Sequence, residues 1–590
     1  MIGPYQMVLI NIFSSVLLFC GILFYKFIYP KKKINLLALL ILISILPIIS
    51  ILRAGDYQSG DFNLHTVRSI SFFNALKDGQ LIPSWGDGLN ETYGYPVFIF
   101  NYTFGYYIVS FLHFLGISFI SGMKIFLASC FVISGIFMYL WSKRIFKNST
   151  AAFVTAIFYL FAPYHLVDLH FRATAGETAA FAFLPILLFT IQKLFAKQNL
   201  LNILIVGMVG ALSYIAHSAE TTFSIILIVI PYVFFEILRL KQDKIKIFLV
   251  TCISSGLILF LSLFSWFPHI LYKNYTQSSF LQISYRPTWE LFYSVWRFGF
   301  LFQGPKGELS FIVGYTQWFV VFLLIILLVL KLVNKKIKPY VIFWMCLFIL
   351  SFFLVTSYSK LIWQHAYLLN EAQFSTRILL QVAFCVSMLA GYLTFILKKK
   401  SFIYLLIFIT ISYTILNWGQ RTIIPSINDS SLIQGLPAST QNYEGIASFA
   451  SPRWLDSSHP WQSSKPINNI EILNGQGKIN NVKRNTVSHQ YIVYAISNLT
   501  VKENTLYFPG WTVKIDGKNV PIEYKNSKYL GIIIFNVPPG LHFIDIEYTD
   551  IKTFSIIKIV DIISFIVIII FVILYLINKM YAKVFIRRSL

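Results

Sequence analysis

The sequence predicts a polytopic α-helical membrane protein with a small extracytoplasmic β-sandwich near its C-terminus, and three observations predict it. Apolar residues make up 57% of the 590 and charged residues only 12%, with several apolar runs reaching the roughly 20 residues that span a bilayer. Basic residues gather in short segments between those runs, the pattern expected of cytoplasmic loops. Toward the C-terminus, a long polar region alternates apolar and polar residues with the period of two that a strand needs.

Taken in order, the first apolar run (Val8 to Phe27) has no basic segment before it and carries Lys26, Lys31, Lys32 and Lys33 at its end. That is the reverse of a cleavable signal peptide, so a retained helix with its N-terminus outside is expected. Further basic clusters stand at Lys143/Arg144/Lys147, Lys193/Lys197, Arg239 to Lys246, Lys331 to Lys338, Lys398 to Lys400 and Lys579 to Arg588. About thirteen helices put every cluster on the cytoplasmic side. They are expected near 8–28, 34–54, 119–141, 150–163, 177–195, 200–216, 219–239, 246–268, 314–333, 340–358, 376–397, 401–418 and 556–577. Counting Val97 to Gly116 as a crossing would throw every later cluster outside, so this run is expected to lie on or dip into the outer face.

Three parts follow. Residues 1–418 form the multi-helix part with outer loops at 55–118, 163–177, 268–315 and 359–376; residues 419–554 form the β-rich domain; residues 555–590 form the last helix and a basic cytoplasmic tail. Within the β-rich part, Thr512-Val-Lys-Ile515 runs into Asp516-Gly517, a hairpin signal, and Phe543 to Tyr548 follows the Pro538-Pro-Gly540 turn.

A formal charge of +24 would suggest nucleic acid in a soluble protein. Here its distribution reports topology, and no nucleic-acid partner is expected. The five cysteines all fall in apolar runs, which argues against a disulfide framework or a cysteine metal site. The outer segments contain no phosphate-binding loop, dinucleotide fingerprint, paired-histidine zinc motif or nucleophile elbow. No cofactor is expected and no metal, although a divalent ion stays open.

Three outer segments concentrate ionisable residues. After the second helix comes Gly55-Asp56-Tyr-Gln-Ser-Gly60-Asp61-Phe-Asn-Leu-His65-Thr-Val-Arg68. A helix starting near Asp61 would put Asp61, His65 and Arg68 on one face. Spacing leaves open whether Asp61 is a functional acid or only an N-cap beside two solvated residues. The second segment carries Asp168, Arg172 and Glu177. Asp168 and Arg172, at i and i+4, read equally as an exposed ion pair worth about 0.3–0.5 kcal/mol. Glu177 begins an apolar helix, where an unpaired carboxylate is costly and a functional or ion-paired role is favoured. Gln373 and Arg377 stand where another helix re-enters the membrane; Arg377 suits a phosphate at headgroup level, or simple snorkelling. His217 and Glu220 read as turn polarity or cavity wall.

Gly60-Asp-Phe-Asn-Leu-His65, Gly79-Gln-Leu-Ile-Pro-Ser-Trp85 and Tyr93-Gly-Tyr-Pro-Val-Phe-Ile-Phe100 resemble the first outer loop of bacterial YfhO-like membrane proteins. That group is also called the 6-pyruvoyl-tetrahydropterin synthase-related membrane domain. Asp168, Arg172 and Glu177, then Gln373-Phe374 with Arg377, match it too, as does Tyr507-Phe-Pro-Gly-Trp511 through His542 at its terminal β-domain. One departure is Gln-Phe-Ser-Thr-Arg at 373–377, where the group's pattern reads Gln-Phe-Pro-Trp-Arg.

The group resembles the GT-C class of glycosyltransferases, so the resemblance implies a GT-C-like helical domain in a bacterial cell membrane, with its active site on the extracytoplasmic face. It implies transfer, with inversion, of a sugar from a polyprenyl-phosphate donor to a cell-envelope glycan such as a teichoic-acid-type polymer, with membrane lipids as surroundings. By the same resemblance Asp61 is the catalytic base, His65 orients it or the acceptor, and Arg68 or Arg377 holds the lipid phosphate. Asp168, Arg172, Glu177 and Gln373 would form the second wall of the site, and Asp56 is the alternative base. Trp511, Tyr507 and Phe508 are expected at the membrane interface. A polysaccharide polymerase, a lipid or polysaccharide transporter and a non-catalytic binding protein are the competing readings.

Overall fold

The computed structural model describes residues 4–240, 243–276, 283–365, 373–419, 423–424, 426–434, 452–455 and 465–588. The centre of the 359–376 loop, part of the Arg239 to Lys246 cluster and most of 420–464 therefore lie outside the described residues.

Among the described residues nine helices are long and apolar enough to cross a membrane, or ten if one bent pair is a single span. All thirteen expected segments are helical, but several are shorter or broken. Leu36–Ile48, Leu200–Ala216 and Tyr315–Val329 have 13, 17 and 15 residues, and at about 1.5 Å per residue each falls short of a bilayer core. The first begins at Asn35, whose side chain accepts from the Leu37 and Ala38 N–H groups, and has Pro47 near its end. The expected 150–163 helix is Ser149–Leu160, followed after a 48° bend by Pro163–Arg172. Pro163 explains the break, since its ring disfavours helical backbone at the residue before it. The expected 246–268 helix ends at Leu261 and restarts as Leu263–Leu271. The run Val97 to Gly116 is two helices, Val97–Phe100 and Phe104–Phe114; the longer, at about 16 Å, cannot cross.

The chain packs as two compact bodies. The first comprises Met1–Phe62, Ile120–Ile258 and Gln282–Asn428. Its central helix is Ser375–Leu397, 94% buried along its apolar window, whereas Gln6–Ile28 is 11% buried. A helix apolar all round is either core or lipid-facing, and these two show both outcomes. Gly391 lets the central helix approach Thr155 and Phe146, which an added Cβ would strike. Strand β1 (Asp56–Tyr57) pairs with β2 (Ile423–Ile424) in the same body.

The second body comprises Asn63–Phe119, Leu259–Leu281 and Asp429–Leu590. It contains two antiparallel sheets, matching the layers of the expected sandwich. The larger has the order β4 (Gly477–Arg484), β5 (Ser488–Ala495), β10 (Gly540–Tyr548), β7 (Trp511–Ile515), β8 (Lys518–Val520), and the smaller β3 (Ile470–Asn474), β6 (Leu499–Leu506), β9 (Ile532–Val537). Asp516 and Gly517, at φ 49° and 80°, turn β7 into β8, the left-handed pair that a tight two-residue hairpin needs.

Residues 78–95 pack on these strands. Trp85 meets Trp511 at 5.2 Å and Tyr548 at 5.5 Å between ring centroids. Leu506 N donates to Tyr93 O (2.8 Å) and Thr486 N to Asp78 Oδ2 (2.8 Å). Gly94, at φ 69°, leaves room for the Trp85 indole. Trp511 and Phe508, expected at an interface, are instead buried. Strand periodicity gives Trp511 an apolar face, which Trp85 covers, whereas Phe508 precedes that strand and meets Tyr272 at 5.4 Å between ring centroids.

Candidate active site

The 163–177 segment builds a buried ion cluster by reversing on itself. Residues 168–172 form a π-helical turn ending at Ala173, a left-handed residue with φ 54°. Thr174 N donates back to Asp168 O (3.2 Å), and the next helix, Ala175–Ala196, begins two residues before Glu177. This turn brings Asp168, Arg172 and Glu177 together.

Arg172 Nη1 donates to Glu177 Oε2 (2.6 Å), Asp168 Oδ1 (3.0 Å) and Tyr164 OH (3.1 Å), and its Nη2 to Glu177 Oε1 (2.8 Å). Tyr164 OH donates to Glu177 Oε2 (2.6 Å). From 200 residues away, Arg377 Nε donates to Glu177 Oε1 (3.1 Å). Glu177 therefore receives two guanidinium groups and a phenol while only 1% exposed. Asp168 is fully buried, so the Asp168–Arg172 pair is not the solvated helix-end pair that spacing allowed; the π turn folds it inward. Removing charge from water at such depth is tolerable only with this kind of bonding.

Asp168 Oδ2, Glu220 Oε1 and Gln381 Oε1 are buried with no hydrogen-bond partner among the described residues. Gln381 Nε2 donates to Ser224 Oγ (3.0 Å) and lies 3.5 Å from Glu220 Oε2, while His217 Nδ1 accepts from Glu220 N (3.2 Å). Sequence reasoning left Glu220 as turn polarity or cavity wall and did not single out Gln381. Its signal was position, one helical turn past Arg377 on the same face.

The first outer loop joins this cluster through its backbone. Gly60 N donates to Phe171 O (2.8 Å) and Asp61 N to Arg172 O (2.7 Å). A Cβ on Gly60 would stand 3.3 Å from Arg172 O, so the close approach favours glycine. Asp61 is partly exposed and immediately precedes the helix Phe62–Lys77, where a cap was expected. Asp56 differs: it is fully buried in β1 and its Oδ1 accepts from Tyr57 N (2.7 Å). Gln373 contributes backbone, its left-handed conformation (φ 61°) aiming its carbonyl at Ser284 N (2.7 Å).

His65 and Arg68 belong to the second body. There the His65 ring lies 3.0 Å from Tyr106 OH and 3.3 Å from Tyr102 OH, and Arg68 Nη2 donates to Tyr95 OH (3.1 Å). Both are buried. Among the described residues no three His, Cys, Asp or Glu side chains gather in a way that could hold a metal ion.

No protein-family model matches the chain. A protein of Lactococcus lactis subsp. cremoris, described only as uncharacterized, is 25% identical over 246 residues, 41% of this chain and 40% of its own length. The chain thus spans about two-fifths of that relative. Among solved structures, the arabinofuranosyltransferase AftD from mycobacteria overlaps 67% of this chain and 27% of its own, at 13% identity and TM-score 0.41. The oligosaccharyltransferase of Archaeoglobus fulgidus overlaps 66% of this chain and 56% of its own, at 13% identity and TM-score 0.42. On its own helices and sheets, the chain is a multi-pass membrane protein with an antiparallel β-sheet region near its C-terminus.

Proposed function

We propose that this protein is a membrane glycosyltransferase that moves a sugar from a polyprenyl-phosphate carrier to an extracytoplasmic cell-envelope glycan, with Asp61 as base. The observation that carries this reading is the pair of backbone bonds seating Gly60-Asp61 on Phe171-Arg172. They hold a partly exposed carboxylate beside a cluster with two guanidinium groups, in a chain whose helices place it in a membrane. Proton acceptor and phosphate-binding cations are the two parts this chemistry requires.

In the proposed reaction the acceptor hydroxyl gives its proton to the Asp61 carboxylate as its oxygen attacks the anomeric carbon. The bond from that carbon to the phosphate oxygen breaks, the configuration inverts, and the lipid phosphate leaves carrying the electron pair. Arg377 is the proposed phosphate ligand, since guanidinium donors match phosphate oxygens. Arg172, Glu177 and Asp168 hold the wall that positions it. Asp56, packed within its strand, is the weaker choice of base, and no step is assigned to His65 or Arg68. An outer-face site with an outside N-terminus and a cytoplasmic C-terminus follows from the distribution of basic loops.

The test compares envelope-glycan composition in cells carrying the intact protein, Asp61→Asn or no protein, at matched membrane levels. Asp61→Asn is expected to lower transfer by at least about 100-fold, losing a sugar as the deletion does while the lipid-linked donor persists. A mutant glycan identical to that of the intact protein, where deletion removes the sugar, would remove Asp61 as base and favour transport or scaffolding.

A further inference from the structure

The 268–315 segment contains a feature that glycosyl transfer does not use. Between Trp289 and Phe300 the chain exposes six large apolar side chains: Trp289, Phe292, Tyr293, Val295, Phe298 and Phe300. Phe298 is 87% exposed. Both it and Arg297 adopt left-handed backbone, at φ 57° and 41°, a conformation that bulky side chains rarely take.

This tip is held from beneath. Ser294 Oγ donates to Leu301 O (2.6 Å), and Tyr315 OH donates to Gly299 O (2.7 Å). Asn417 bonds both Phe302 N and Phe300 O at 2.7 Å. The backbone is thus fixed where an aromatic ring points away from the body, an arrangement water would oppose.

What covers the tip is indicated by its continuity with the flank of the helices. Phe292 stacks on Trp318 (4.6 Å, 8°), Trp318 on Phe322 (5.5 Å, 24°), and Trp318 meets Phe352 edge-on (5.2 Å). Phe319 and Phe322 are exposed on the apolar helix Tyr315–Val329, and Phe353 on the membrane-length helix Lys338–Val355. One aromatic strip therefore runs from those helix flanks onto the loop. Exposed Arg286 and Arg297 flank it, the charge suited to phospholipid headgroups.

We propose that residues 289–300 form an aromatic wedge seated in the headgroup region of the bilayer, with lipid as its partner. Aromatic residues gather at that depth because a ring accepts an apolar neighbour on one side and a wet one on the other. The inference is independent of the transferase reading.

The test uses the full chain, with its five cysteines replaced, in nanodiscs of phosphatidylethanolamine and phosphatidylglycerol. Nitroxides are placed singly through Phe298→Cys and Val295→Cys, with Phe322→Cys as the lipid reference and Lys306→Cys as the aqueous one. Relaxation by oxygen is compared with relaxation by a water-soluble nickel chelate. Labels at 298 and 295 are expected to fall between those at 322 and 306, with oxygen favoured several-fold more than at 306. Nickel accessibility equal to that at 306, at either wedge position, would overturn the proposal.

Discussion

Glu177 and Glu503 are both buried carboxylates bonded to arginine, and they serve different kinds of structure. Glu177 takes donors on both oxygens from three helical segments, reaching Tyr164, Arg172 and Arg377. Glu503 concentrates its bonds on one oxygen, which faces Arg484 Nη1 (2.5 Å), His489 Nδ1 (2.9 Å) and Tyr491 OH (3.4 Å). Those three partners lie on neighbouring strands within twenty residues of chain. The first carboxylate ties distant helices beside a partly exposed acid; the second joins the smaller sheet to the larger through a short stretch of chain. Burial of an ion pair alone therefore does not mark a reactive site. What distinguishes the first is the adjoining Asp61.

The comparison breaks most sharply at Arg172. Arg172→Met would leave Asp168 without its cation and Glu177 with Arg377 and the Tyr164 phenol, and stranding a buried charge costs about 3–5 kcal/mol. A large fall in the thermal midpoint of protein in nanodiscs is expected. An unchanged midpoint would show that the cluster does not tie the helices.

Next comes Glu503, where pH supplies the test. Burial pushes its carboxyl up, but the charge and hydrogen bond of His489, followed by Arg484, override this and hold it at about 2, below the usual 4.5. A carboxyl depressed in the folded state stabilises fully above its unfolded value and loses that contribution as pH falls through the folded one. The window is therefore about pH 4.5 down to about 2, and the amount is about 3 kcal/mol. Hydrogen exchange of peptides from 488–506 should show protection falling across that window. Glu503→Gln should lose the protection at neutral pH and flatten the acid dependence.

Parts of this comparison were readable in the residues and parts were not. Asp168, Arg172, Glu177 and Arg377 stood out because charge at the edge of an apolar helix is costly wherever it occurs. Their union at Glu177 was not readable, because Arg377 approaches from 200 residues away and nothing in local spacing encodes that. Helix positions were plain from apolar runs, but the lengths were not: the break before Pro163 had a local cause, whereas the interruption at Ser262 had none in the apolar pattern. The Asp516-Gly517 turn was legible since only a few dipeptides tolerate two left-handed residues. Glu503 was hidden because Lys502-Glu-Asn-Thr505 reads as solvated strand, yet all four residues are buried.

The smallest expected effect is at Asp561, which separates two reasons for burying an acid. It lies on the helix Lys552–Arg588, whose apolar window is 11% buried, yet Asp561 itself is fully buried. Its Oδ2 accepts from Phe264 N (2.8 Å) at the start of the helix Leu263–Leu271. Ser262, the residue in the cap position, lies 3.4 Å from the Leu259 carbonyl instead. Asp561 thus supplies from another helix the acceptor that a cap residue normally provides. The donor it meets is a backbone amide, so the bond depends on having an acceptor oxygen more than on carrying charge. Asp561→Asn should cost less than about 1 kcal/mol and Asp561→Ala about 1–2 kcal/mol, read as thermal midpoints in the same nanodiscs. An asparagine variant as damaging as Glu503→Gln would mean that the charge is what matters here, placing Asp561 with the arginine-bonded carboxylates and calling for a cation near its second oxygen.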